Sequence, residues 1–261
     1  MNDYDDREFD NQLTFHYLLE LDYNDRHFIP NTIFNAEGEL TQEEIINALN
    51  GTDRAIAALL LDKRFKPTSD QVADFLSSGN EQIISALAAN PNVELTSDQV
   101  DRLLSDFGMH VKLVTVGNKN IKLTPEQVER CLNSKSPLIV IRTLERGDLN
   151  LTTSQKDKLI SHPATTMRRE AVSNIDDFTP SQIDKIVNDP DYSVRIASLK
   201  FIEYLKPEQI NKLVNDPEPK VRESLARTIK NPTPDILDKL TRDTDLEVRL
   251  ASLSLVNEST P

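Results

Sequence analysis

Four arginines recur at intervals of 27 residues, at Arg168, Arg195, Arg222 and Arg249. A row of cations at fixed spacing could bind an anionic ligand or the phosphates of a nucleic acid. The same motif also supplies carboxylates, because Asp189, Asp216 and Asp243 precede the last three arginines by six residues. Arginine pairs with a carboxylate through a planar fork of N–H groups. We interpret these seven residues as a structural ladder of ion pairs and keep anion binding as the alternative.

A second row of cations recurs at intervals of 27 or 28 residues, at Arg102, Arg130, Lys158, Lys185, Lys212 and Lys239. An acid directly precedes five of the six, at Asp101, Glu129, Asp157, Asp184 and Asp238. Neighbouring positions of a helix point about 100° apart, so the two signs share one surface. A mixed, solvated face is the favoured interpretation. The alternative is that these six cations bind an acidic partner.

The other reactive side chains do not form a catalytic or metal-binding pattern. The four histidines do not recur with the repeat or stand at ligand spacing from one another, and Cys131 is the only cysteine. The six glycines form no phosphate-binding loop. Cys131 is expected to be a small buried apolar residue. The sequence therefore predicts no enzyme activity, no cofactor and no metal site.

The first 40 residues differ from the rest in charge and in aromatic content. They hold ten acids against Arg7 and Arg26, which accounts for −8 of the net charge of −13, and seven of the 14 aromatic residues. One interpretation is an N-terminal cap on the open end of a helical stack. The other is a binding element for a basic partner, and the candidates are Asp3, Asp5, Asp6 and Asp10.

The elements that position these residues follow from a repeat of 27 or 28 residues. Eight repeats fill 41–261, beginning at Thr41, Thr68, Thr96, Thr124, Thr152, Thr179, Lys206 and Thr233. Most open with Thr followed three residues later by Gln or Glu, the signature of a helix-capping box. Apolar residues four, seven and eight positions after the start mark one face of helix A, and a second helix, B, follows. Stacked hairpins of this kind predict an all-α fold, an α-solenoid.

The chain resembles leucine-rich-repeat-variant proteins and, more broadly, HEAT-like repeats. The resemblance rests on "DPDYSVR", "DPEPKVR" and "DTDLEVR", and on "IKNPTPDILDKL" and "AANP". It implies a protein-binding scaffold whose repeats are tied by Asp and Arg. Each repeat has about three residues more than the leucine-rich-repeat-variant pattern, nearly one helical turn, so we expect helix B to be α-helical rather than 3₁₀. The DNA-glycosylase branch of HEAT-like proteins is disfavoured, because this chain is acidic and has no Trp.

These observations favour a non-catalytic protein–protein interaction scaffold. Two alternatives stay open: an acidic inhibitor that imitates nucleic acid, and a solenoid directed at nucleic acid. A net charge of −13 disfavours direct binding to phosphates, since that binding depends on Lys and Arg. No apolar run is long enough to cross a membrane, and a cytoplasmic protein is expected. The sequence does not specify the partner or the oligomeric state.

Overall fold

The computed structural model describes residues 38–258. They form seven hairpins of two α-helices each and one hairpin whose second helix ends in a 3₁₀ segment. The helices, in chain order, are α1 (Gln42–Leu49), α2 (Asp53–Leu61), α3 (Ser69–Ser77), α4 (Glu81–Ala89), α5 (Ser97–Ser105), α6 (Met109–Gly117), α7 (Pro125–Leu132), α8 (Pro137–Leu144), α9 (Thr153–Leu159), α10 (Thr165–Asn174), α11 (Pro180–Val187), α12 (Tyr192–Ala197), the 3₁₀ segment Ser198–Tyr204, α13 (Pro207–Val214), α14 (Pro219–Thr228), α15 (Pro234–Thr241) and α16 (Leu246–Glu258).

Helix A begins where the capping box predicts. In α7, the Gln127 amide N–H donates to the Thr124 hydroxyl (3.3 Å), and the Gln127 side-chain oxygen accepts from the Thr124 N–H (2.8 Å). The same box opens five other repeats, at Thr41, Thr68, Thr96, Thr152 and Thr179. Each box satisfies two backbone donors that have no partner inside the helix. The predicted repeat starts are therefore confirmed at these positions.

Helix A ends at an asparagine in three repeats, at Asn133, Asn188 and Asn215. An asparagine at the end of a helix predicts a left-handed residue, and this prediction is wrong here, because φ is −94° at Asn133, −100° at Asn188 and −103° at Asn215. Each asparagine instead donates its side-chain N–H to the carbonyl four residues earlier, for example from Asn133 to Glu129 at 2.9 Å. The amide thus satisfies a carbonyl that the end of the helix leaves open.

Helix B is α-helical in seven repeats, as predicted, and departs from the prediction in the repeat that begins at Thr179. There α12 ends at Ala197 and a 3₁₀ segment follows. The backbone leaves helical geometry at Phe201 (φ −102°, ψ 18°), whose buried ring packs edge-on against Phe178 with centroids 5.6 Å apart. This aromatic contact accompanies the tighter turn. Within residues 38–258, no helix is long and apolar enough to span a membrane.

The chain divides into two compact units, and the boundary falls between Asp148 and Leu149. In the first unit the B helices α2, α4, α6 and α8 pack each on the next, and large aliphatic side chains such as Leu59, Ile84 and Leu87 are fully buried. In the second unit α10, α12, α14 and α16 pack in the same order. Small residues are fully buried there, including Ala171, Ser198 and Ala226, which allows close approach of the helices.

Candidate binding site and the ladders between repeats

Three of the four recurring arginines, Arg168, Arg195 and Arg222, lie in bidentate ion pairs with an aspartate of the following repeat. Arg195 places Nε 2.7 Å from Asp216 Oδ2 and Nη2 2.8 Å from Asp216 Oδ1. The Arg168–Asp189 and Arg222–Asp243 pairs have the same distances. The side chains are almost fully buried, with 10% exposure for Arg195 and 2% for Asp216. We call this series the Arg–Asp ladder and each pair a rung.

Each ladder arginine also holds its own hairpin turn. Arg195 Nη1 donates to the Asp189 carbonyl (2.8 Å), six residues earlier, and Arg249 makes the equivalent bond to the Asp243 carbonyl (2.7 Å). The Arg222 guanidinium holds the pKa of the Asp243 carboxyl below its usual range. One guanidinium therefore joins two successive turns, and its donors are used within the protein. This geometry supports a structural role for Arg168, Arg195 and Arg222.

The cations of helix A lie at the surface beside polar groups of the preceding repeat. Arg130 bonds to Asp101, Lys185 to the Ser161 hydroxyl and Lys212 to the Asn188 side-chain oxygen. Of the remaining three, Lys158 is exposed, Lys239 lies 3.3 Å from Asn211 Oδ1, and Arg102 is 4.0 Å from Asp106. The strip is a surface of mixed charge.

A second ladder, not predicted from the sequence, uses the glutamines of the capping boxes. Gln127 Nε2 donates to Asp101 Oδ1 at 3.0 Å, and Gln182 Nε2 donates to Asp157 Oδ1 at 2.8 Å. Hydrogen bonds from Arg130 and then Gln127 lower the pKa of the Asp101 carboxyl. One glutamine thus caps its own helix and binds the helix A before it, which explains why Gln127 and Gln182 are buried.

The first unit contains an open cavity of about 670 Å³ between the α5–α6 and α7–α8 hairpins. Its apolar lining comes from Leu104, Met109, Cys131, Leu138 and Ile139. Burial raises the pKa of the Cys131 thiol, so the uncharged form is favoured and the residue belongs to the apolar floor. Met109 is 44% exposed at the edge. The cavity can therefore receive an apolar side chain from outside.

The polar lining of this cavity is basic. Lys112, Arg130 and Lys135 contribute positive charge, and Asn133, Ser134 and Ser136 contribute neutral polar groups. The sequence reading identified Arg130 and Cys131 only, and missed Lys112 and Ser134. Among the first four repeats, Lys112 is the one cation at the sixteenth position after the start, and Ser134 lies at the tenth position of the repeat that follows it.

Two predictions concern residues outside the described range. The acidic candidates Asp3, Asp5, Asp6 and Asp10, and the proposed N-terminal cap as far as residue 37, belong to this part of the chain. They stay predictions. Among residues 38–258, no group of three or more His, Cys, Asp and Glu side chains could hold a metal ion.

The successive hairpins, each packed on the next within a unit, define an α-solenoid fold. The chain is similar to a solved structure described as a leucine-rich repeat variant with a novel repetitive protein structural motif, with a TM-score of 0.54 and 16% identity over 80% of this chain and 88% of that one. The resemblance to leucine-rich-repeat-variant proteins is thus confirmed for the fold. No family model matches the chain, and no curated protein matches it.

Proposed function

We propose that this protein is a non-catalytic scaffold that binds another protein, and that the cavity between α6 and α8 is a binding site. The cavity itself carries the proposal. It combines an apolar floor with basic side chains at an open edge, whereas the arginines of the Arg–Asp ladder are used within the protein. Protein interfaces are commonly built in this way, with an apolar centre and a polar rim.

The row of cations along helix A gives less support to the two alternatives, a solenoid directed at nucleic acid and an acidic inhibitor that imitates nucleic acid. Nucleic-acid binding draws on cations that are free to neutralise phosphates. Arg130 is instead paired with Asp101, and Gln127 binds the same carboxylate. A surface that imitates nucleic acid would need a continuous row of acids, and the strip alternates acids with cations. The scaffold proposal requires neither kind of surface.

Photo-cross-linking in the native cells tests this proposal. A photoreactive amino acid replaces Met109 at the cavity edge, and the matched control carries it at Leu61, which is 39% exposed in the same unit. We expect discrete protein adducts at position 109 that position 61 does not give. Adducts that disappear on nuclease treatment would contradict the scaffold. Protein adducts at position 61 alone would keep the scaffold and move its binding site.

A further inference from the structure

The cavity lies at a position where the second unit has a rung of the Arg–Asp ladder. In six of the eight repeats the side chain of the tenth residue after the repeat start accepts a hydrogen bond from the N–H of the twelfth. Asp189 Oδ1 accepts from Asp191 (2.9 Å), and Ser134 Oγ accepts from Ser136 (3.2 Å) in the same way. The shared turn geometry fixes the register. Ser134 therefore occupies the place of the ladder aspartate.

The cation of each rung is the sixteenth residue after the start of the preceding repeat. It is Arg168 opposite Asp189, and by the same count it is Lys112 opposite Ser134. The residues just before them, Met167 and Val111, are both buried, which supports the alignment. Both Lys112 and Ser134 line the cavity. This junction therefore keeps the cation of the rung and has a hydroxyl in place of its carboxylate.

Lys112 has no internal substitute for that carboxylate. Across residues 38–258, no Asp or Glu oxygen lies within ion-pair distance of Lys112 Nζ. Arg130, which also lines the cavity, is paired with Asp101. Lys135 is exposed at the turn and adds a second positive charge. The local charge is thus complementary to an anion that enters beside an apolar floor.

We propose that this cavity binds a partner peptide in which a carboxylate lies next to a large apolar side chain. The carboxylate pairs with Lys112 and takes the place of the missing ladder aspartate, and the apolar side chain packs on Leu104, Met109 and Leu138. The peptide needs both groups, because the floor favours an apolar anchor and the cations favour a negative charge over a positive one. The inference rests on the proposed scaffold function and specifies its partner.

The probes are two peptides that differ only in charge, acetyl-Leu-Phe-Asp-amide and acetyl-Leu-Phe-Asn-amide. Binding to the full chain is followed by ¹⁵N NMR shifts. We expect shifts at the cavity residues and about tenfold weaker binding of the Asn peptide, as for one charge-assisted hydrogen bond. In Lys112→Gln the two affinities should become equal. Thermal melting of each variant shows whether it is folded.

Ser134→Asp supplies the carboxylate within the chain and should weaken binding of the Asp peptide at least to the level of the Asn peptide. Ser78→Asp is the matched control. Ser78 holds the same turn position as Ser134 and accepts from the Asn80 N–H (3.2 Å). The residue opposite it in the preceding repeat, at the position of Lys112, is the buried Ala57. This control should bind as the wild type does. A folded Ser134→Asp variant with unchanged affinity would overturn the proposal.

Three further results would overturn it: equal affinity of the two peptides for the wild type, equally strong competition by inorganic phosphate, or peptide binding only after removal of residues 1–37. The last would make the chain's own acidic, aromatic segment the occupant. If protein adducts still form at position 109 in these cases, the scaffold proposal stands and only the carboxylate rule fails. If protein adducts form at no exposed position, the scaffold proposal itself fails.

Discussion

The most deeply buried ties at helix B lie at opposite ends of that helix in the two units. In the second unit the ties are charged and lie at the turn before helix B, as in Arg195–Asp216. In the first unit they are mainly amides at the end of helix B. Asn90 donates to the Leu60 and Phe65 carbonyls (2.7 and 3.0 Å), and Asn118 donates to the Ala88 carbonyl (2.8 Å). Successive hairpins of the same fold are therefore connected by two different kinds of side-chain contact.

The position of the tie determines which end of helix B is used to connect the repeats. A tie at the end of helix B satisfies carbonyls that the helix cannot satisfy itself. Between α6 and α8, among the described residues, no ion pair joins the turn before helix B to the preceding repeat, whereas polar contacts such as Asn80–Asp53 (2.7 Å) lie at the corresponding turn of other repeats. Arg146 completes this series in the first unit by donating to the Val116 carbonyl (2.7 Å) with only 1% of its side chain exposed. The cavity with Lys112 and Ser134 lies at the other end of the same hairpins. Structural and binding positions are thereby separated.

The largest effect is expected from breaking a rung. Arg195→Ala leaves the Asp216 carboxylate buried and unpaired, which costs about 3 kcal/mol or more of unfolding free energy. Arg195→Lys should recover only part of this, because lysine lacks the planar fork. Urea denaturation measures both variants. A loss below about 1 kcal/mol, the range of an exposed pair, would show that the rung is not a principal tie.

A smaller loss is expected from breaking an amide tie. Asn90→Ala removes a fully buried side chain that donates to two carbonyls and accepts from the Asn92 N–H (2.7 Å). Leaving buried polar groups without partners should cost about 2 kcal/mol. Asn133→Ala is the control, since its amide is exposed and bonds only within its own helix turn. Equal losses in the two variants would contradict the role of Asn90 as a tie.

The sequence predicted the local structure better than the ties. Capping boxes depend on residues three apart, so Thr124 and Gln127 could be read directly, and the repeat period gave the fold. The second bond of Gln127, to Asp101 of the preceding repeat, depends on how neighbouring hairpins are aligned, which the period alone does not specify. The Arg–Asp residues were identified because both members recur. Asn90 and Asn118 recur too, but an asparagine after a helix is also common in turns.

The proposed binding site was harder to predict because it is a departure from the repeat. A repeat is recognised from the positions that carry the same residue each time. Lys112 and Ser134 instead occupy positions at which later repeats have arginine and aspartate. Met109 is likewise conspicuous only through its exposure in the folded chain. The acidic segment 1–40 was assigned from composition alone, so its two interpretations stay predictions.

Introducing an Arg–Asp pair at the cavity should give the first unit a tie of the kind that the second unit has. The double variant Lys112→Arg, Ser134→Asp is expected to raise the unfolding free energy by about 0.5–1 kcal/mol, because the site is partly exposed to solvent. The midpoint of thermal unfolding should rise by about 2 °C. Ser78→Asp, which meets no cation at the corresponding position, should give no gain. A gain of the same size in Ser78→Asp would show that the aspartate acts on its own turn and forms no rung.

The smallest effect concerns His162, which holds the tenth position in the first repeat of the second unit. Its Nδ1 accepts from the Ala164 N–H (3.1 Å), and its carbonyl accepts from Arg168 (2.9 Å). Burial, with a smaller contribution from Arg168, lowers the pKa of this imidazole below its usual 6.5. The folded state therefore favours neutral histidine, and the corresponding stability is present above pH 6.5 and is lost as the pH falls through the lowered pKa. Thermal melts at pH 7.5 and 5.5 measure this loss. His162→Asn retains an acceptor and does not titrate, so it should lose less stability over the interval, and an identical loss in the two proteins would rule out His162 as the source.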